Sequence, residues 1–391
     1  MLSKRKLLNM SKKQNFLFIV GMFRSGTTLL ARALNAHPNL IVASDPFFEF
    51  FRAIRNEVYR KNKTGFDDDN TPLFDNFFST HQSSVDEIQD IDFNFNMTYQ
   101  KWNQIKKSLI KRGGPFSPKV MPLIKKVNEK NYKKLFIELM DLLNEAYPKE
   151  GARYLGIKEV WCEEFVKPLI NTYPSTKCVH IVRDPRAIIA SNKKRGTGRY
   201  PLLFLIRHWR KSCYYALKNQ SLKKNIFLVK YEDLIDRPEF WLKKICKFLN
   251  VPFSPAVCDG DQFKDGSGKP WSQNSSYGTS KAISNQFKDQ WKKVLTKKET
   301  QFVEDLCERE MKLFNYKRIT KSNTVDSCLN PPAVDEKTYA DWIFKYSSTF
   351  ETSVENMTQE LLRHLVTKEQ KLSVKKANKL QKEMLKRLLV N

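Results

Sequence analysis

The chain has no apolar run of the ~18 residues that a membrane-crossing helix needs, so no integral membrane segment is expected. Its start, Met1-Leu-Ser-Lys-Arg-Lys-Leu-Leu8, is basic but lacks the long apolar stretch of a signal peptide. No two of the seven cysteines (Cys162, Cys178, Cys213, Cys246, Cys258, Cys307, Cys328) stand as Cys-x-x-Cys, and the number is odd. Neither a zinc site nor a disulfide framework is indicated, and reduced, inert thiols are the reading. Acidic residues are scarce, 42 against 69 lysines and arginines, for a formal charge of +27. Such an excess attracts polyanions. Yet the lysines are scattered along the whole chain and no nucleic-acid motif accompanies them, so nucleic acid is not an expected partner.

What is present supports a real core. The 391 residues are 41% apolar and 12% aromatic, enough for one large domain with an appendage, or two domains. The most informative stretch is Phe16-Leu-Phe-Ile-Val-Gly-Met-Phe-Arg-Ser-Gly-Thr-Thr-Leu-Leu30. It reads as a buried strand, a tight glycine turn and a helix start. Gly21 and Gly26 bracket four residues, and Thr27 and Thr28 follow. That is the outline of a phosphate-cradling loop, in which backbone N–H groups and a helix N-terminus meet an anion. The lysine that reaches the β/γ-phosphates in a nucleotidase is replaced by Thr27, and a cation sits inside the loop at Arg24. Such a loop can hold a phosphate-like anion but is poorly equipped to move a γ-phosphoryl group with Mg²⁺.

A second segment, Cys178-Val-His-Ile-Val-Arg-Asp-Pro-Arg-Ala-Ile-Ile-Ala-Ser191, is a strand running into a charged turn and then a helix. Arg183 closes the strand, and Ser191 lies about two helical turns further on. Here the chain resembles the sulfotransferases that use 3′-phosphoadenosine 5′-phosphosulfate (PAPS). Their 5′-phosphosulfate loop looks like Phe23-Arg-Ser-Gly-Thr-Thr-Leu29, and their 3′-phosphate motif like Arg183-Asp-Pro-Arg-Ala-Ile-Ile-Ala-Ser191. Val229-Lys-Tyr-Glu-Asp-Leu234 is similar to a later strand of that fold. The three stand in the family's order, over residues 16 to about 315. The arginine-lysine-glycine triplet of the cytosolic small-molecule branch is missing. The resemblance therefore points to the carbohydrate and tyrosylprotein branches and their bacterial cousins. Many eukaryotic relatives carry a Golgi anchor; with none seen here, a soluble cytoplasmic enzyme is expected.

Residues 1–15 read as a basic lead, 16–320 as the sulfotransferase domain, and 321–391 as a helical extension. Strands are expected at Phe16–Val20, Asn39–Ala43, Tyr154–Lys158, Lys177–Val182 and Ile226–Lys230. The first helix is expected over Thr27–Ala36, stopped by Pro38. Strands alternating with helices argue for an α/β fold, a doubly wound and mainly parallel sheet with helices on both faces, whose phosphate loops gather at the carboxyl ends of the strands. Asp45–Tyr59 reads as helical, and residues 46–150 as a helical insertion on the acceptor side. Residues 62–72 form a polar loop and 259–280 a long glycine- and serine-rich loop. Phe287–Leu313, Tyr339–Leu365 and Lys368–Leu389 read as helices. The last has one apolar face and lysines elsewhere, which suits docking on the main domain or on a second subunit, hence a homo-oligomer through the C-terminal helices; a membrane-surface helix is the alternative.

The resemblance implies roles residue by residue. Arg24, Ser25, Gly26, Thr27 and Thr28 hold the 5′-phosphosulfate, and Arg183 and Ser191 the 3′-phosphate. Arg186 lies near that phosphate or pairs with Asp184. Tyr231 is a nucleotide candidate or a core tyrosine. Trp271, Asn274, Ser275 and Ser276 resemble groups that cover the nucleotide. The acceptor's general base falls on Asp45 in Ala43-Ser-Asp-Pro-Phe-Phe-Glu49, with Glu49 in reserve and His37 a weaker candidate. Asp45 equally suits a helix N-cap ahead of Pro46. Lys158 neutralises leaving-group charge without a metal, or is an ordinary strand-end lysine. The expected reaction moves a sulfuryl group from PAPS to a hydroxyl acceptor (carbohydrate, small alcohol or tyrosine) and leaves 3′-phosphoadenosine 5′-phosphate. A P-loop kinase or nucleotidase, and a non-catalytic nucleotide-binding protein, are the competing readings.

Overall fold

Five short apolar runs, rich in β-branched and aromatic residues, form the strands β1 (Asn15–Val20), β2 (Leu40–Ser44), β3 (Tyr154–Lys158), β4 (Lys177–Val182) and β5 (Ile226–Lys230). They pair in parallel in the order β2-β3-β1-β4-β5. The computed structural model describes residues 15–63, 82–196, 198–271, 283–333, 336–340 and 354–367. The helices include α1 (Thr27–Ala36), α2 (Phe48–Lys61), α3 (Tyr99–Gly113), α4 (Tyr132–Ala146), α5 (Pro185–Lys193), α6 (Leu202–Lys218), α7 (Tyr231–Asp236), α8 (Pro238–Phe248), α9 (Lys297–Leu306) and α10 (Val354–Thr367). Among the described residues no helix is long and apolar enough to cross a membrane.

The chain divides into two units. The first comprises residues 1–182, 214–274 and 279–285 and contains the whole sheet. Strand alternation sends successive residues of each strand to opposite faces. On β1, Phe16 and Phe18 meet Phe136 on α4 and Phe51 on α2, with ring centroids 5.4 and 5.5 Å apart. Leu17 and Ile19 face the other way, into a cluster with Leu30 and Leu34 of α1 and Leu242 and Ile245 of α8. Helices thus cover both faces, which is why the strands read as near-continuous apolar runs. Because β1 lies between β3 and β4, the chain switches direction around it, and the carboxyl ends of β1, β2 and β3 come together.

The second unit comprises residues 183–213, 275–278 and 286–391. In it Glu360 of α10 is buried among arginines, pairing with Arg207 (2.8 Å), Arg210 and Arg363 (3.4 Å). The surrounding guanidinium groups, chiefly Arg210, hold its carboxyl down at about 2 against the opposing effect of burial.

Several element boundaries differ from the sequence reading. The second helix starts at Phe48 rather than Asp45, because Asp45 has φ +48 and its N–H bonds Lys158 O (2.7 Å). Phe287–Leu313 is broken into Trp291–Val294, α9 and Glu308–Leu313, since Thr296 caps a new helix. Of Tyr339–Leu365, the described helix begins at Val354. Lys368–Leu389, residues 1–14 and most of the 62–72 loop lie outside the described residues.

Candidate active site

The loop between β1 and α1 is shaped by two glycines. Gly21 has φ +149, and a Cβ there would overlap the carbonyl of Ile181 on neighbouring β4. Gly26 has φ +92, and a Cβ there would overlap the ring of Tyr231. Both positions exclude any other residue. Gly26 is the N-cap of α1, so no side chain covers the helix end, and the first turn holds no acidic residue. The positive end of the helix therefore stands open to an anion. Ser25 Oγ donates to Met22 O and braces the turn. Arg24, at φ +67, lies in the left-handed region. Tyr231, at the start of α7, is buried in the core against Gly26 and acts as a wall of the loop.

Register places the other groups at the same sheet edge. Lys158 is the last residue of β3, opposite Ile19 of β1 and Ser44 of β2. Asp45 follows Ser44 directly. Lys158 Nζ, 2% exposed as a residue, donates to Asp45 Oδ2. The other carboxylate oxygen, Asp45 Oδ1, is buried and meets no partner among the described residues. Asp45 is thus not a helix N-cap; Phe47 holds that position.

Glu159 has no assigned role in the sequence reading. Alternation turns it to the face opposite Lys158, fully buried, where its Oε1 accepts the Phe47 N–H (2.5 Å). Burial first, and then the nearby Asp45 charge, push its carboxyl well above the usual range. Three bonds therefore tie the turn 45–47 to residues 158–159: Asp45 N to Lys158 O, Asp45 Oδ2 to Lys158 Nζ, and Phe47 N to Glu159. They hold Asp45 in a left-handed conformation that costs about 1 kcal/mol or more.

The reserve base, Glu49, is also buried but engaged by Arg52 and, at 3.8 Å, by Arg112 of α3. Arg112 stacks 3.8 Å from the Phe48 ring centre. His37 is closed off at both nitrogens. Its Nδ1 accepts from Asn39 N (3.0 Å) and its Nε2–H donates to Pro252 O (2.7 Å). Burial lowers its pKa, against the opposing effect of the bond to Pro252.

In the second unit Arg183 and Ser191 are both buried, Arg183 just after β4 and Ser191 on α5. The Trp209 indole on α6 donates to Arg183 O (2.7 Å), fixing that backbone. Asp184 caps α5 through Arg186 N (2.9 Å) and grips the Arg186 side chain with both oxygens (3.0 and 2.7 Å). Arg186 also bonds Glu304 (2.5 Å) and stacks 4.0 Å over Trp291. Arg186 thus cross-links Asp184 and Glu304. Trp271 packs against the first unit's core beside Phe263. Asn274, Ser275 and Ser276 lie outside the described residues.

A parallel α/β sheet whose carboxyl end carries an open helix N-terminus and a carboxylate–lysine pair has the parts to hold an anion beside a proton acceptor. Residues 17–255 match the sulfotransferase family, and the chain belongs to it. It is 27% identical over 192 residues to carbohydrate sulfotransferase 3 of Tetronarce californica, covering 41% of each chain. It is 33% identical over 104 residues to the protein-tyrosine sulfotransferase of Drosophila melanogaster, covering 24% of this chain and 20% of that one. The chain spans about half or less of the length of the curated relatives it matches. Among solved structures, the sulfotransferase domain from the Synechococcus PCC 7002 olefin synthase has a TM-score of 0.48 at 18% identity, covering 78% of this chain and 97% of that one.

Proposed function

We propose that this protein is a PAPS-dependent sulfotransferase that sulfates a hydroxyl acceptor with Asp45 as the base. One observation carries the reading: a carboxylate with Oδ2 on Lys158 and a buried Oδ1 that meets no partner among the described residues, beside an open helix N-terminus. The donor set fits a phosphosulfate. It offers backbone N–H groups at the start of α1, the hydroxyls of Thr27 and Thr28, and the Arg24 cation, with no carboxylate in the first turn to repel an anion. Bound there, the nucleotide supplies an activated sulfuryl group joined to its phosphate by a bridging oxygen.

The chain's own groups do the rest. Asp45 Oδ1 accepts the acceptor's hydroxyl hydrogen and takes that proton as the oxygen attacks. Lys158 Nζ, held by Asp45 at rest, turns its charge to the leaving phosphate oxygen as the carboxylate is neutralised. Glu159 keeps the turn from moving while this exchange occurs. Arg183 and Ser191 take the 3′-phosphate, as the resemblance implies.

The test is calorimetric titration with 3′-phosphoadenosine 5′-phosphate, ATP and GTP. The first is expected to bind best. Arg183→Ala is expected to weaken it by roughly 10- to 150-fold, the worth of one charge-assisted contact. Preference for ATP, or unchanged affinity in a folded Arg183→Ala, rejects this nucleotide assignment.

A further inference from the structure

Among the described residues other than glycine, seven have positive φ. Lys63, Asn250 and Asn315 follow helix ends, where the left-handed region is an ordinary way to stop. Three others stand just past the carboxyl ends of three adjacent parallel strands. They are Arg24 after β1, Asp45 after β2, and Trp161 after β3, the strand between those two. Arg24 and Asp45 carry the charges of the site. Trp161 does not. It has φ +62 and is 7% exposed, and a bulky side chain in that region is a steric outlier.

The indole reaches to both sides. It meets Phe23 edge-on, with ring centroids 5.3 Å apart and planes at 74°, and Phe48 at 6.0 Å and 67°. Phe23 is the residue before Arg24 in the anion loop. Phe48 opens α2, three residues past Asp45, and carries Arg112 of α3, 3.8 Å from its ring centre. The same short segment grips the Asp45 turn through Lys158 and Glu159. Glycine or asparagine would take the Trp161 backbone conformation with less strain. The ring, not the turn, therefore accounts for a tryptophan here.

We propose that Trp161 is a positioning residue that registers the anion loop, through Phe23, against the turn that carries Asp45, through Phe48. Anion affinity then depends on α2, although Phe48 is no part of the loop. This rests on the reading of the loop as the phosphosulfate site and adds how that loop is held. Trp161 acts through its two ring neighbours and needs no contact with the nucleotide.

The experiment is calorimetry on the full chain with 3′-phosphoadenosine 5′-phosphate and with inorganic pyrophosphate, which needs only the loop. Trp161→Leu is expected to weaken both ligands by roughly 2- to 13-fold, the worth of one edge-on ring pair. Trp161→Phe keeps a ring and is expected to recover most of that loss. Phe23→Leu and Phe48→Leu are each expected to weaken both ligands in the wild-type background. Neither is expected to add a further loss in Trp161→Leu, because their effects pass through the indole. Independent, additive losses overturn the proposal. So does a Trp161→Leu variant that melts lower but binds as wild type, which makes Trp161 a packing residue only. Should Trp161→Leu not fold, the single variants decide, and unchanged affinity in Phe48→Leu rejects the coupling. A wild type that binds pyrophosphate but not the nucleotide rejects the sulfotransferase reading instead, and the pyrophosphate titrations still decide Trp161. A wild type that binds neither ligand overturns both.

Discussion

At the scale of single residues, chemistry depends on which oxygen or nitrogen is left without work. Asp45 and Glu49 are both carboxylates near one sheet edge. Glu49 is locked between two arginines, while Asp45 has one buried oxygen open. Asp45→Asn keeps the shape and removes the proton acceptor. It is expected to lower kcat by roughly 10²–10⁴-fold while nucleotide affinity stays near wild type. Glu49→Gln is expected to be mild by comparison. Steady-state turnover of the two variants, beside nucleotide titration, decides between them. A nearly active Asp45→Asn with a dead Glu49→Gln moves the base to Glu49. Arg24, Thr27, Asp45 and Lys158 could be singled out from the sequence because each sits inside or beside a motif. Glu159 and Trp161 could not. An acid and a tryptophan after a strand look ordinary until burial shows what surrounds them.

At the scale of elements, all five strands and α1 follow from local pattern. Buried parallel strands are continuous apolar runs, and Gly26 and Pro38 punctuate the helix at both ends. The break inside Phe287–Leu313 was also written locally, in Thr296-Lys-Lys-Glu299. Thr296 Oγ1 accepts Glu299 N (3.1 Å), and Glu299 Oε2 accepts Thr296 N (2.7 Å), a complete capping box. Thr296→Ala is expected to lower stability by about 0.5–2 kcal/mol without changing nucleotide affinity. Urea unfolding of the two proteins checks the first part and calorimetry the second. The start of α2 shows the opposite case. Asp45-Pro46 has the composition of a helix start, but the Asp45 N–H bond to Lys158 O pulls the turn off the helix. That bond joins residues 113 positions apart in sequence, and no local rule contains it.

At the scale of the whole molecule, buried histidine makes stability depend on pH. Burial in β4 pushes the His180 pKa down to about 3 from 6.5. Between those values the unfolded chain binds a proton that the folded chain excludes. The His180 contribution is therefore full above about pH 6.5 and falls as pH drops, while the raised Glu159 carboxyl acts with the opposite sign. His180 alone is expected to remove about 1.4 kcal/mol between pH 7.5 and 5.5. His208 is shifted in the same direction, by burial and by Lys211, and adds to the loss. The lowered Glu360 carboxyl acts in a different window, from about 4.5 down to about 2, so it does not interfere. Urea melts at the two pH values, with His180→Asn beside the wild type, measure the effect. Equal pH dependence in wild type and His180→Asn places His180 in a solvated site and contradicts its burial.

The sequence alone determined the strand order along the chain, the glycine turn of Gly21–Thr28, the second motif of Arg183 and Ser191, and the family to which they belong. These are local facts. A glycine with positive φ, a missing lysine and an apolar run carry their meaning within a few residues. Only the tertiary structure decided that Lys158 and Asp45 form a pair, that Glu159 fastens the turn beneath them, that Arg186 belongs to Asp184 and Glu304, and that Trp161 is held in the left-handed region against Phe23 and Phe48. The reason is physical. Hydrogen bonding and desolvation depend on what lies within a few ångströms, and a parallel sheet brings together strand ends separated by a hundred residues or more.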